Sequence, residues 1–97
     1  MFPTFKSKTS AKKKVTFEHY APGAQKVQLA GSFNGWNPAK TSLKHQGNGK
    51  WKVTLDFPPG RYEYRYCVDG DWQNDQRTVE CVPNPFGTWN CVLKIQK

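Results

Sequence analysis

The stretch from Arg61 to Trp72 constrains the fold of this chain more than any other. Tyr62, Tyr64, Tyr66 and Val68 recur at every second position, the period of a strand that buries one face and shows the other. Asp69-Gly70 follows at once, a pair suited to the positive φ angles of a tight hairpin turn, so the chain reverses just before Trp72. The four apolar residues form the expected buried row, and Arg65 faces away from it. That places a guanidinium and an indole on one side of a rigid hairpin, where hydrogen bonds and a flat apolar surface can hold the same ligand.

The rest of the sequence reads as support for that hairpin. Val15-Thr16-Phe17 and Val27 to Ala30 are short strands separated by Ala21-Pro22-Gly23-Ala24. Gly31 to Pro38 is a loop carrying two large aromatics, with Phe33 as its expected anchor and Trp36 as the displayed one. Leu43 is expected in a short edge strand ahead of a turn at Gln46 to Gly49. Trp51, Val53, Leu55 and Phe57 alternate with polar residues, which assigns Trp51 to the core rather than to a ligand. Thr78 to Val82 reads as a further strand stopped by Pro83-Asn84-Pro85, and Trp89 to Ile95 as the last. No helical period is present. About seven short strands between Gly, Pro and Asn turns predict an all-β fold, an immunoglobulin-like antiparallel sandwich with Leu29, Val53, Leu55 and the tyrosines inside.

Charge and cysteine content exclude several classes of function. The formal charge is +8, but Lys6, Lys8, Lys12, Lys13 and Lys14 carry five of those charges. Residues 1–13 are expected to be a disordered basic tail, and residues 14–97 the folded domain. Without a basic, aromatic stripe in the folded part, single-stranded nucleic acid is a weak alternative as partner. No apolar run approaches the roughly 20 residues of a membrane span, and the start lacks the apolar block of a signal peptide, so a soluble cytoplasmic protein is expected. Cys67, Cys81 and Cys91 are odd in number and lack zinc-ligand spacing; they read as reduced thiols packed like small apolar residues.

An enzyme is not expected. Glycoside hydrolysis needs two carboxyl groups across a cleft, whereas Asp69, Asp71 and Asp75 cluster about one hairpin turn. The same three acids lack the remaining ligands of a calcium loop. His19 and His45 have no nucleophile at suggestive spacing.

Taken in order, Ala21-Pro22, Val27-x-Leu29-x-Gly31-x-Phe33-Asn34-x-Trp36, Trp51-x-Val53-x-Leu55, Pro59-Gly60-x-Tyr62-x-Tyr64, Val68-Asp69-Gly70-x-Trp72-x-x-Asp75 and Asn84-x-Phe86-Gly87-x-x-Asn90 form a series. From about residue 15 onward it resembles the family-48 carbohydrate-binding modules, found beside glycogen branching enzymes and isoamylases and in the β subunit of AMP-activated protein kinase. The resemblance implies non-catalytic binding of α-1,4-linked glucans such as glycogen or starch, without metal or cofactor. It assigns the two stacking tryptophans to Trp36 and Trp72, the hydroxyl-binding lysine to Arg65, the polar pair to Thr88 and Asn90, and an apolar contact to Phe86. Arg65 departs from the family's lysine, and a planar fork is not equivalent to a point charge. The implied partners are an α-glucan and, as a protein, a separate glycogen-metabolising enzyme. The alternative is a docking or regulatory module with little glucan affinity, as in enzyme-attached members of the family.

Overall fold

The computed structural model describes residues 12–97, so the expectation of a disordered tail falls largely on residues outside those described. Eight strands and a single 3-10 turn follow in order: β1 (Lys13–Tyr20), β2 (Val27–Gly31), the turn Pro38–Lys40, β3 (Lys44–Gly47), β4 (Lys50–Phe57), β5 (Gly60–Val68), β6 (Asp71–Gln73), β7 (Cys81–Pro83) and β8 (Trp89–Ile95). One sheet has the order β1-β4-β3; the other has β2-β5-β8-β7, with β6 also paired to β5. Every pairing is antiparallel. This is the sandwich that the period-two patterning predicts. β1 and β2 do not pair; the turn between them carries the chain from one sheet to the other.

β5 is the centre of the larger sheet. Tyr64 and Tyr66 are almost wholly buried, Val68 is buried, and Tyr62 packs part-buried at the margin. Phe17 of β1 meets Tyr64 edge-on, with centroids 5.2 Å apart at 77°. Each tyrosine body lies in apolar surroundings while its hydroxyl finds an acceptor: Tyr62 the Pro58 carbonyl at 2.7 Å, Tyr64 the Asp75 Oδ2 at 2.7 Å, Tyr66 the Glu18 carbonyl at 3.4 Å. Burial first, then the bond to Asp75, holds the Tyr64 phenol well above its ordinary range. Trp51 is buried and donates its indole N–H to the Ala21 carbonyl at 3.2 Å, in keeping with a core role.

Several expectations need correction. Val53 and Leu55 pack against the core only part-buried. Leu43 is buried but lies just before β3, which runs on through Gln46 and Gly47; the turn narrows to Asn48-Gly49, both at positive φ. Thr78, Val79 and Glu80 precede the strand, because only Cys81–Pro83 pairs with β8. Cys67 and Cys91 are buried, as small apolar residues should be, whereas Cys81 sits exposed on the edge strand. His19 is buried, stacked on Tyr66 at 4.2 Å, with Nε2 2.9 Å from Gln73 Oε1. Its packing serves the core.

Candidate functional site

The outward row of β5 consists of Arg61, Glu63, Arg65 and Cys67, alternating with the buried tyrosines. Three features bring other residues to this row. The turn at Asp69-Gly70, with φ of 48° and 90°, folds β6 back so that Trp72 stands directly opposite Cys67. The Asp69 carboxylate also accepts the N–H groups of Gln25 and Lys26, at 3.0 and 2.8 Å, fixing the hairpin to the chain ahead of β2. Trp72 is therefore held on a rigid base while its indole stays 45% exposed.

The second feature is the loop after β2. Asn34 ties it together: Oδ1 accepts the Gly31 N–H at 3.0 Å, and Nδ2 reaches the Leu29 carbonyl and Thr41 Oγ1, both at 3.0 Å. A side chain at Gly31 would collide with the Phe33 ring and the Glu63 carbonyl, so the loop passes close to β5 only because that position is glycine. Phe33 packs against the core, and Trp36 is turned outward with φ of 59°, unusual for so bulky a residue. Such a conformation is retained where the surroundings over-determine it, as Asn34 and Gly31 do here.

The third is the turn between β7 and β8. Asn84-Pro85-Phe86-Gly87 has the composition of a type I turn, with Asn first, Pro second and Gly87 last at φ 82°. Asn84 Oδ1 accepts the N–H groups of Phe86 and Thr88 at 3.0 and 3.1 Å, and Nδ2 donates to Thr88 Oγ1 and Asn90 Oδ1 at 2.8 and 2.9 Å. Phe86 is left 88% exposed.

The result is one cleft of about 990 Å3, lined by all six residues singled out from the sequence, Trp36, Arg65, Trp72, Phe86, Thr88 and Asn90, and also by Ser32, Arg61, Glu63, Asn84 and Pro85. Arg65 donates from Nε to Asn74 Oδ1 at 2.8 Å and from Nη1 to Thr88 Oγ1 at 3.3 Å, which fixes its plane and leaves three N–H groups free. Thr88 Oγ1 is within reach of Arg65 and of both ends of the Asn84 amide, so its one donor and two acceptor positions are already engaged. Asn90 is only 8% exposed and bridges Asn84 to Glu63, donating to Glu63 Oε1 at 3.0 Å. Arg61 donates to Glu63 Oε2 at 2.7 Å. The bond from Asn90, then that from Arg61, holds the Glu63 carboxyl below the usual carboxylate range.

Asn84 and Glu63 were missed by the sequence reading. Asn84 stands in the sequence as part of a strand stop and of the quoted motif series, with no site role, although Asn-Pro-x-Gly is itself a turn signature. Glu63 lies two residues from Arg65 on the same strand face, and the alternation already placed it there. Elsewhere, Asp75 pairs with Arg77 at 2.8 Å. Among the described residues no three of His, Cys, Asp and Glu gather as metal ligands.

Residues 13–97 match the family described as the glycogen recognition site of AMP-activated protein kinase. The chain belongs to that family. It is 31% identical over 90 residues to the pig 5'-AMP-activated protein kinase subunit beta-1, covering 93% of this chain and 70% of the relative. It is 30% identical over 90 residues to the human beta-1 subunit, again 93% of this chain but 32% of the relative. With the mouse beta-2 subunit it shares 29% over 82 residues, 84% of this chain and 29% of the relative. The chain thus spans about a third of the human and mouse relatives. A recognition module accounts for the chain from residue 13 to 97, and the expectation of a non-catalytic, family-48 type carbohydrate-binding domain holds. No helix among the described residues is long and apolar enough to cross a membrane.

Proposed function

We propose that this glycogen-recognition module binds α-1,4-linked glucans non-covalently in the cleft on the outer face of β5. Trp36 and Trp72 stack on the C–H faces of neighbouring glucose rings, Phe86 adds apolar area, and Arg65 donates to the hydroxyl rim, with Thr88 and Asn90 setting its shape. One observation carries this reading: two part-exposed indoles, fixed by independent loops, line the same cleft as an arginine with free donors. Amphipathic sugar rings, with apolar faces and polar edges, complement that combination. No metal or cofactor enters it.

The kinship with kinase subunits favours a kinase component, over a separate glycogen-metabolising enzyme, as the protein this module serves. Cytoplasmic residence belongs to the same reading and is supported by three free thiols. The test is a pull-down on glycogen and amylose, competed with β-cyclodextrin, beside a single-stranded DNA control. Retention that β-cyclodextrin releases and that changes little with salt supports glucan binding. Retention by DNA that collapses with salt, without glucan binding, overturns it.

A further inference from the structure

Resting on the glucan reading of this cleft, we infer that Glu63 is its main acceptor for sugar hydroxyls, working as a pair with Arg65 and so selecting for free neighbouring hydroxyls at O2 and O3. The lining groups differ in the hydrogen-bonding capacity they still have. Ser32 accepts the Glu63 N–H and keeps one donor and one acceptor position, and the indoles of Trp36 and Trp72 can only donate. Thr88 has none left, since its hydroxyl already meets Arg65 and Asn84. Both amide hydrogens of Asn84 are engaged. Asn90 keeps one donor and one acceptor position but is nearly buried. Arg61 and Arg65 can only donate.

A carboxylate offers about four acceptor positions, and Glu63 uses two, one on each oxygen, for Asn90 and Arg61. Its side chain is 28% exposed and lines the cleft. The largest remaining acceptor capacity on the lining therefore belongs to Glu63, and the largest donor capacity to Arg65. The two stand on alternate positions of one strand, about 7 Å apart along it. A glucose hydroxyl both donates and accepts, so hydroxyls on adjacent carbons can give a hydrogen to Glu63 and take one from Arg65. A glucan joined through O1, O4 and O6 leaves O2 and O3 free for this pair. The ion pair to Arg61 keeps the acceptor charged, and charged acceptors make the stronger hydrogen bonds.

The experiment is isothermal titration of three ligands, β-cyclodextrin, β-cyclodextrin methylated at O6 alone, and β-cyclodextrin methylated at O2, O3 and O6, against wild type, Glu63→Gln and Glu63→Ala. Glu63→Gln retains an acceptor for Asn90, and thermal melts report the folded state of each variant. Affinity for β-cyclodextrin should fall about threefold to tenfold in Glu63→Gln and about tenfold to a hundredfold in Glu63→Ala, the range for a hydrogen bond to a charged group. Methylation at O2 and O3, beyond that at O6, should weaken wild type several-fold more than it weakens Glu63→Ala, a coupling that a purely structural role would not produce. An equal added penalty in wild type and in folded Glu63→Ala, or wild-type affinity for β-cyclodextrin in folded Glu63→Gln, overturns the inference and leaves the glucan reading intact. A wild type that binds none of the three ligands overturns the glucan reading itself.

Discussion

Asn84 touches the ligand-facing residues rather than the apolar core, and its removal tests whether the cleft is organised by side-chain hydrogen bonding. Asn84→Ala deletes the acceptor for two turn N–H groups and the donors to Thr88 Oγ1 and Asn90 Oδ1. Neutral hydrogen bonds contribute about 0.5–1.5 kcal/mol each, and water can replace those on the exposed turn, so the net loss of stability should be about 1–2 kcal/mol. For a domain of this size that lowers Tm by about 4–16 °C. Phe86, Thr88 and Asn90 would then have to be ordered by the ligand, a further cost of about 1–2 kcal/mol, equivalent to roughly 5-fold to 30-fold weaker binding. Asn84→Asp separates the two roles. Its carboxylate still accepts the turn N–H groups, but it places Asn90 between two carboxylates, so Tm should stay closer to wild type while affinity still falls. The assays are calorimetric melting and β-cyclodextrin titration. Wild-type Tm and affinity in Asn84→Ala would refute the argument.

Three other predictions follow from the core. Trp51→Ala removes a buried indole that also donates to the Ala21 carbonyl, and should cost about 3–5 kcal/mol in urea unfolding. Burial would raise the Asp75 carboxyl, but its hydrogen bonds from Arg77 and Tyr64 outweigh that and leave it below its ordinary value. Its contribution to stability is therefore present above the unfolded-state pKa near 4 and lost as pH falls through the folded one. The urea midpoint should drop more between pH 6 and pH 3 in wild type than in Asp75→Asn; equal drops would refute this. Exposed Cys81 should be alkylated in the native protein, and Cys67 and Cys91 only after unfolding, Cys91 being pushed up to about 11 by burial. Mass spectrometry reads the number of labels, and native labelling of all three would contradict the packing.

The sandwich was legible because its centre is built from period-two rows. Tyr64, Tyr66 and the Asp69-Gly70 turn suit one place each, and the phase of Trp51 with the apolar row decides for the core over ligand contact. At the edges the pattern weakens. Val79 lies outside the β7–β8 ladder and packs against the core although its neighbourhood reads as strand; β8 runs on to Ile95, so the length of the partner is not what ends the pairing. Cys81 and Cys91 are the same residue type directly opposite each other, yet one is exposed and the other buried. That difference goes with strand order, β8 lying inside the sheet and β7 at its edge, which no local pattern encodes.

In the cleft, the aromatic and charged residues could be picked out individually, since exposed indoles and an outward arginine are distinctive. The roles of Asn84 and Glu63 depend on partners up to 27 residues away, as in the bond between Asn90 and Glu63. Polar side chains of this kind have no periodic signature. Thr88 shows the converse: a residue marked for the ligand by resemblance turns out to have its hydroxyl engaged within the protein, as a support for Arg65.

Calorimetric titration of β-cyclodextrin into wild type, Trp36→Ala and Trp72→Ala tests the claim that the two indoles form one glucan-binding surface. Both indoles are part-exposed and lie outside the apolar core cluster, so both variants should remain folded. Losing a stacked aromatic should remove about 1–3 kcal/mol, roughly a 5-fold to 100-fold weakening in each variant. Wild-type affinity in both folded variants would contradict the claim and leave this face of the sandwich as a docking surface.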